Sequence, residues 1–492
     1  MLILFFFRFL CKNRHVVKLG ELKMPTSEIR SIILAAGKGT RMKSEMPKVL
    51  HSIMGKSLLE RVVNSVIKVE GISHNYVIVG HRADLVSELV EKKYPAKNVE
   101  TVLQEPQLGT GDAVFKCWDK LKNFKGSVLV LCGDTPLLRT ETLEKFINSH
   151  RASGAVLTVM TAIMANPLNY GRIIRDDNDA IMKIVEEKDA TPSQKAVKEI
   201  NAGIYCFDWQ AISPAFKEIT PDNVQGEFYL TDIIDWSVRN GFKTNAYVLE
   251  DNQEVFGINS QKQLSRAAII LKNRKLEELM NDGVTIVDPM MTWISPETEI
   301  GSQSMVYPNC YIEGENFLGE NNTIGPNTYI KGNVETADNV KIVASVVSDT
   351  VIAENVKIGP FAHIRDGVEI KENVRIGNFV EVKKSVIEDN SKAAHLSYIG
   401  DAHLGKDVNI GAGTITANYN ALTKEKCKTI ICDNAKIGSN SVLVAPVRIE
   451  KGANVGALSV ITNDVPENSL AVTRSPMKIF KDWVTDKLNK GK

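Results

Sequence analysis

At 492 residues the chain is too long for one typical domain, and a composition of 43% hydrophobic and 24% charged residues is that of an ordinary soluble globular protein. Sixty basic against 59 acidic residues leave a net charge of +1, so no charge excess points to nucleic acid or an acidic partner, and an anionic substrate must be held by local charge. The seven cysteines, Cys11, Cys117, Cys132, Cys206, Cys310, Cys427 and Cys432, are odd in number and contain no Cys-x-x-Cys pair, which argues against a disulfide framework or a zinc site and for reduced thiols in a cytoplasmic protein.

Residues 1–27 stand apart from the rest of the chain. Residues 1–10 are apolar except for Arg8, yet they lack a basic leading region, a small-residue cleavage site and the ~20-residue length of a membrane span. We read 1–27 as an extension that is disordered or non-native, with Met24 as an alternative start and a membrane anchor as the rival reading. From 28 to 259, short β-rich runs alternate with longer amphipathic stretches, the pattern of a mostly parallel sheet covered by helices on both faces. Strands are predicted at 31–36, 76–79, 127–132 and 155–160.

Directly after the first of these comes Leu34-Ala35-Ala36-Gly37-Lys38-Gly39-Thr40-Arg41-Met42, then Pro47-Lys48-Val49-Leu50. Glycines let backbone amides approach an anion, but the spacing fits neither a Walker loop nor a dinucleotide fingerprint. A plain strand-to-helix turn would explain the glycines alone. Arg41 and Lys48 add two fixed positive charges and shift the reading to polyphosphate binding. Asp134 follows the apolar run Leu131-Cys132-Gly133 at the carboxyl end of a predicted strand, where open α/β sheets bind ligands. It is a metal candidate, with a helix N-cap as the competing role.

A single helix is predicted over 260–282, with Ser260 as N-cap, an apolar stripe through Leu264, Ala267, Ala268, Leu271, Leu276 and Leu279, and Gly283 just past its end. Taken as 260–283, it is the linker. Beyond it an aliphatic returns every six positions: Ile300, Val306, Ile312, Leu318, Ile324, Ile330; then Ile352, Ile358, Ile364, Ile370, Ile376, Val382; then Ile431, Ile437, Leu443, Ile449, Val455, Ile461. Helices repeat near 3.6 and strands near 2, so this period marks a parallel β-helix of hexapeptides over 284–472, about ten coils at three hexads each. The register breaks between Ile330 and Ile352, Val382 and Leu404, and Thr416 and Ile431. An inserted or distorted loop is expected in each interval, and such loops carry function. The basic tail 473–492, with Ile479, Phe480, Trp483 and Leu488, is expected to cap the last coil, whose strand edges are otherwise unpaired.

These residues resemble a known family. Gly37 to Met42, Pro47-Lys48, Gln104 with Gln107-Leu108-Gly109-Thr110, Gly133-Asp134, Tyr170-Gly171-Arg172, Glu186, Asn201-Ala202-Gly203 and Gly257-Ile258-Asn259 are similar to the motifs of sugar-phosphate nucleotidyltransferases, with the spacing of N-acetylglucosamine-1-phosphate uridylyltransferases. The resemblance implies a Rossmann-like nucleotidyltransferase domain in which Leu34, Ala35, Gly37, Lys48, Gln104, Gly109, Thr110, Gly171, Glu186, Asn201 and Asn259 hold UTP or the UDP-sugar. Gln104 and Gly109 would read the uracil, and Thr110, Gly171, Glu186 and Asn201 the sugar. Arg41 and Lys48 would act on the phosphates, and Asp134 with Asn259 would bind Mg²⁺. Asp112 departs from the family, which usually has His there.

In the second half, acetylating an amino sugar requires a neutral amine and therefore a base titrating near neutrality, which His supplies. Of His363, His395 and His403, His395 sits in a register break beside Tyr398. Arg365, Glu381 to Lys384, His395 to Tyr398, Asn409 to Thr414, Asn418-Tyr419, Ser439, Ala457 and Arg474 resemble, in order, the glucosamine-1-phosphate N-acetyltransferase half of the same bifunctional family. That implies a left-handed β-helix, His395 as base oriented by Glu381, and Arg365, Lys383, Tyr398, Asn409 and Lys426 around the amino-sugar phosphate. Ala412, Asn418, Tyr419, Ser439, Ala457 and Arg474 would bind acetyl-CoA. Asn420-Ala421 replaces the family's usual Asp-Gly and the loop to Lys428 is longer, so Lys424 competes with Lys426.

The reading is an α/β plus β enzyme that acetylates glucosamine-1-phosphate and couples the product to UTP. Its partners are small molecules, with no nucleic acid and no membrane, and the resemblance implies a homotrimer. The rivals are a single-activity nucleotidyltransferase with a structural β-helix and a non-enzymatic trimeric scaffold.

Overall fold

Seven strands of the amino-terminal half lie side by side in the order Thr244–Val248, Leu157–Ile163, Glu199–Asp208, Ser127–Cys132, Ile29–Leu34, Ile72–Val79, Val99–Leu103 in the computed structural model, which describes residues 28–489. The expectation for 1–27 lies outside the described residues. Neighbouring strands run parallel except that Glu199–Asp208 is antiparallel to both its neighbours. That strand is not among the four predicted from the sequence. Val128, Leu129, Val130 and Leu131 are all fully buried, as expected for a sheet covered on both faces. Alternation sorts them: Leu129 and Leu131 pack with Leu59, Val63 and Phe146 on one face, and Val128 and Val130 with Val114, Trp209 and Ile234 on the other.

Ile29–Leu34 pairs with Ile72–Val79 on one side and Ser127–Cys132 on the other. The chain thus reverses its direction of travel across the sheet at this strand, and the crevice at the carboxyl ends is the expected ligand position. The chain divides into two compact units, the first running to Leu264 without Ser52–Lys56 and the second comprising Ser52–Lys56 and the chain from Ser265. The predicted linker helix occupies Gln261–Asn281, with Ala267, Leu271, Leu276 and Leu279 buried.

In the second unit, strands mostly of two to four residues stack in parallel, each hexad aliphatic pointing inward. Their side chains form one continuous core from Ile286 to Val465. Asn309, Asn327, Asn339 and Asn355 turn corners at φ 60, 56, 60 and 60, a region asparagine tolerates better than other non-glycine residues. Gly377 is required by packing, because a Cβ there would lie 2.5 Å from the Ala394 carbonyl carbon.

Of the two forms expected at the register breaks, an inserted or a distorted loop, two of the three take the distorted form. Leu318 pairs with Thr336, a step of eighteen residues, but Thr336 pairs with Ile352 and Ile370 with Ile387, steps of sixteen and seventeen. These coils are trimmed rather than inserted. Ala344, Asp349, Lys384 and Asp401 absorb the missing residues at corners with φ of 43, 44, 44 and 47. Only the third break is an insertion, in which Leu404 pairs with Ile431 and a hairpin between them bridges Tyr419 to Lys426.

The expected cap differs. Thr473 and Arg474 bond to the last coils, through Val460 N to Thr473 Oγ1 at 2.7 Å and Arg474 Nη1 to the Ala457 carbonyl at 2.6 Å. Ile479, Phe480, Trp483 and Leu488 remain exposed. The seven-residue helix Trp483–Asn489 buries none of its side chains, so it covers no strand edge in this chain. Among the described residues, no helix is long and apolar enough to cross a membrane.

Candidate active sites

Three segments converge at the carboxyl ends of the central strands. Ala35 N donates to the Ile78 carbonyl at 2.9 Å and starts the glycine loop. Gly39, at φ +61, passes so close to Lys48 that a Cβ would lie 2.5 Å from the lysine Cβ. Gly37 has open space around it, and Lys38 and Arg41 are exposed. Gly133 N donates to the Leu34 carbonyl at 2.9 Å, which places Asp134 beside that loop, and Ile258 N donates to the Asp134 carbonyl at 2.9 Å, which brings in Asn259. Lys48 Nζ donates to Asp134 Oδ2 at 2.5 Å and to Asn259 Oδ1 at 3.0 Å. The aspartate does not cap a helix, since the next one begins at Thr140. Its carboxylate oxygen and the amide oxygen of Asn259 instead meet on one cation. Two hard oxygens at one point fit Mg²⁺, whose other ligands are commonly water and substrate phosphate.

The base and sugar candidates lie on neighbouring loops. Gln104 is only 4% exposed, and its Nε2 donates to the Gly109 carbonyl at 2.9 Å and to Asp112 Oδ2 at 2.8 Å. Gly109 adopts φ +118, and a Cβ there would sit 2.5 Å from the Phe228 carbonyl oxygen. Thr110 Oγ1 accepts from Leu230 N at 3.0 Å. A Cβ on Gly80 would meet both Gln107 Nε2 and the Ala36 Cβ within 3 Å, which ties this loop to the glycine loop. Gly171, Glu186 and Asn201 form a third group, since a Cβ on Gly171 would lie 3.2 Å from Glu186 Oε1 and 3.5 Å from Asn201 Cβ. Burial, reinforced by Asp189 and Asp232, pushes the Glu186 carboxyl up to about 7. Burial holds the Cys132 thiol up at about 12, with the charges of Asp134 and then, beyond the opposing Lys48, Glu186 adding to it. Cys132 is therefore an un-ionised thiol near Asp134, Lys48 and Glu186.

The β-helix builds its candidate site by register. Ile376, Ala393, Ile410, Ile437 and Val455 pair in succession. Two places after each come Asn378, His395, Ala412, Ser439 and Ala457, which therefore occupy one corner on successive coils. Asn440 N donates to the Ala412 carbonyl at 2.7 Å and Leu458 N to the Ser439 carbonyl at 2.8 Å, as that stacking requires. Arg474 closes the row through its bond to the Ala457 carbonyl. His395 Nδ1 lies 3.0 Å from Asn378 Oδ1. An amide oxygen only accepts, so this contact calls for the hydrogen on Nδ1 and leaves Nε2 as the ring nitrogen not engaged with Asn378.

Glu381 does not orient His395. It lies opposite Tyr398 in the strand pairing and accepts from Arg365 Nη1 at 2.8 Å. Spacing alone could not show that Asn378, rather than Glu381, faces the histidine. Ile364 pairs with Val382, which sets Arg365 and Lys383 one coil apart in one column. Asn409 stands between Lys392 and Lys436 on the adjoining flank. Asn418 Nδ2 donates to Asp401 Oδ2 at 2.5 Å and anchors the inserted hairpin. Lys424 is at its tip with φ +60, and Lys426 lies opposite Tyr419.

Comparison with known proteins agrees with both halves. The nucleotidyl transferase family model matches residues 30–280, and the bacterial transferase hexapeptide model matches 349–384 and 428–463. A protein of Acetivibrio thermocellus called bifunctional protein GlmU is 45% identical over 93% of this chain and 98% of its own. One of the same name from Syntrophotalea carbinolica is 46% identical over 94% of this chain and 97% of its own. The chain belongs to the bifunctional GlmU family. A solved structure titled a putative glucose-1-phosphate thymidylyltransferase from Bacillus anthracis aligns at a TM-score of 0.41 and 21% identity, covering 49% of this chain and 94% of that one. As a GlmU family member the chain joins a nucleotidyltransferase domain to a hexapeptide-repeat transferase domain, and each half carries its own convergent set of side chains.

Proposed function

We propose that this chain makes UDP-N-acetylglucosamine in two steps at two sites. The observation that carries the first step is the single corner on which His395 heads the row Ala412, Ser439 and Ala457. Small side chains there leave room for the arm of acetyl-CoA along the coils, and Arg474 is placed to pair with a CoA phosphate. Arg365 and Lys383 hold the phosphate of glucosamine-1-phosphate, with Tyr398, Asn409 and Lys426 around the sugar and Asn418 and Tyr419 beside the cofactor. The amine attacks the thioester carbonyl, His395 Nε2 takes the proton the amine loses, the C–S bond breaks, and that same proton passes on to the departing sulfur so that CoA leaves as its thiol.

In the second step the phosphate oxygen of N-acetylglucosamine-1-phosphate attacks the α-phosphorus of UTP and pyrophosphate leaves. The nucleophile is already an anion, so no general base is needed and catalysis rests on alignment and charge neutralisation. Arg41 and Lys48 face the phosphates, Gln104 and Gly109 the uracil, and Thr110, Gly171, Glu186 and Asn201 the sugar. Asp134 and Asn259 would hold Mg²⁺, which offsets phosphate charge when bound. A cytoplasmic homotrimer with acetyl-transfer sites shared between subunits completes the reading.

The test is release of CoA thiol from acetyl-CoA with and without glucosamine-1-phosphate, beside release of pyrophosphate from UTP with N-acetylglucosamine-1-phosphate. Sugar-dependent release in both assays is expected. Pyrophosphate without thiol would leave a single-activity nucleotidyltransferase carrying a structural β-helix.

A further inference from the structure

The Gln104 side chain has its two amide hydrogens committed, one to the Gly109 carbonyl at 2.9 Å and one to Asp112 Oδ2 at 2.8 Å. The residue itself is pinned by its backbone N, which donates to the Val79 carbonyl at 2.8 Å at the carboxyl end of a central strand. Among the described residues no donor reaches Oε1 of this buried side chain. A carboxylate can only accept. The flipped amide would set Oε1 against two acceptors, the Gly109 carbonyl and the Asp112 carboxylate, and of the two Asp112 opposes it more strongly because it carries a full negative charge.

We infer that Asp112 is a positioning residue that locks the Gln104 amide with Oε1 outward, so that the nucleotide site selects a base presenting an N–H, as uracil does at N3, against one presenting a lone pair there, as cytosine does. The inference rests on the reading that Gln104 faces the base. Asp112 also has an ordinary role to set against this one. It lies in the first turn of the helix Thr110–Phe115 and approaches Lys116 Nζ at 3.5 Å, four residues on, and an acid there favours the helix whatever its neighbour. A purely structural role would lower stability and affect UTP and CTP alike. A lock on the amide changes their ratio, because a site built around one hydrogen-bond pattern leaves buried groups unpaired when it meets the other.

The experiment measures kcat/KM for UTP and for CTP with N-acetylglucosamine-1-phosphate in the full chain and in Asp112→Ala, Asp112→Asn and Gln104→Ala. In Asp112→Ala, where the neutral Gly109 carbonyl alone still holds the amide, the UTP:CTP ratio should fall by about tenfold, part of it through improved use of CTP by the less firmly held amide. Asp112→Asn can present an oxygen to Gln104 and should keep the ratio within about threefold of the parent. Asp112→Ser, which suits a first helical turn but is too short to reach Gln104, replaces the alanine variant if that protein does not fold. A parental ratio in Asp112→Ala or Asp112→Ser, with Gln104→Ala altered, overturns the inference. A parental ratio in Gln104→Ala instead removes Gln104 from the base, and the reading beneath the inference fails.

Discussion

His395 and Asn378 face each other across adjacent coils, and the bond between them has only one direction. Without the amide oxygen at 3.0 Å, the imidazole is free to rotate and to exchange tautomers. Asn378→Ala should therefore lower kcat for acetyl transfer about 10- to 100-fold with little change in KM for acetyl-CoA, while Asn378→Asp, which keeps an acceptor, retains most of the rate. Initial-rate kinetics on the two variants checks this. Glu186 gives a second prediction through pH. Its carboxyl titrates near 4.5 when unperturbed and is raised to about 7 in the fold, by burial first and by Asp189 and Asp232 next. The folded state thus holds a proton that the unfolded chain has lost, so the stability this proton contributes is present below pH 4.5 and disappears as pH rises through 7. Glu186→Gln, which never ionises, should melt above the parent at pH 8 and match it at pH 4; thermal melts across that range decide.

In the β-helix an element is a coil, and what a coil tolerates is set by contact between successive backbones. Gly377 shows the limit, because a side chain at that point has no space against the Ala394 backbone. Gly377→Ala should cost about 2 kcal/mol or more in denaturant unfolding of this half. It should also displace Asn378 and His395, so acetyl transfer falls while uridylyl transfer persists. The trimmed coils matter for the same reason. Shortening a coil by a residue keeps every aliphatic inward but resets which outward side chains lie above one another. His395 shares a corner with Asn378 because Ile376 pairs with Ala393, seventeen residues on rather than eighteen; a full-length coil would place Leu396 there.

The whole molecule is two compact units with separate convergent sets of side chains, so the two activities should separate by substitution. Lys48→Ala removes the cation between Asp134 and Asn259 and should lower uridylyl transfer about 100-fold with acetyl transfer within twofold of the parent. His395→Ala should do the converse. Parallel thiol and pyrophosphate assays on both proteins check the division, and equal loss of both activities in either variant would refute it. Much of this was legible in one dimension. The hexad period, the glycine loop after an apolar run and the 21-residue helix Gln261–Asn281 are local patterns, because which way a side chain points follows from the repeat of its own segment. Partner choice is different in kind. That Gln104 meets Asp112, that Lys48 reaches Asn259 and that Asn378 rather than Glu381 meets His395 depend on loop closure, sheet order and coil length. The sequence by itself determined the two architectures and the residue types each site would use; only the tertiary structure decided which of them touch, because a pairing across strands or coils is set by register, and register is a property of the assembled backbone.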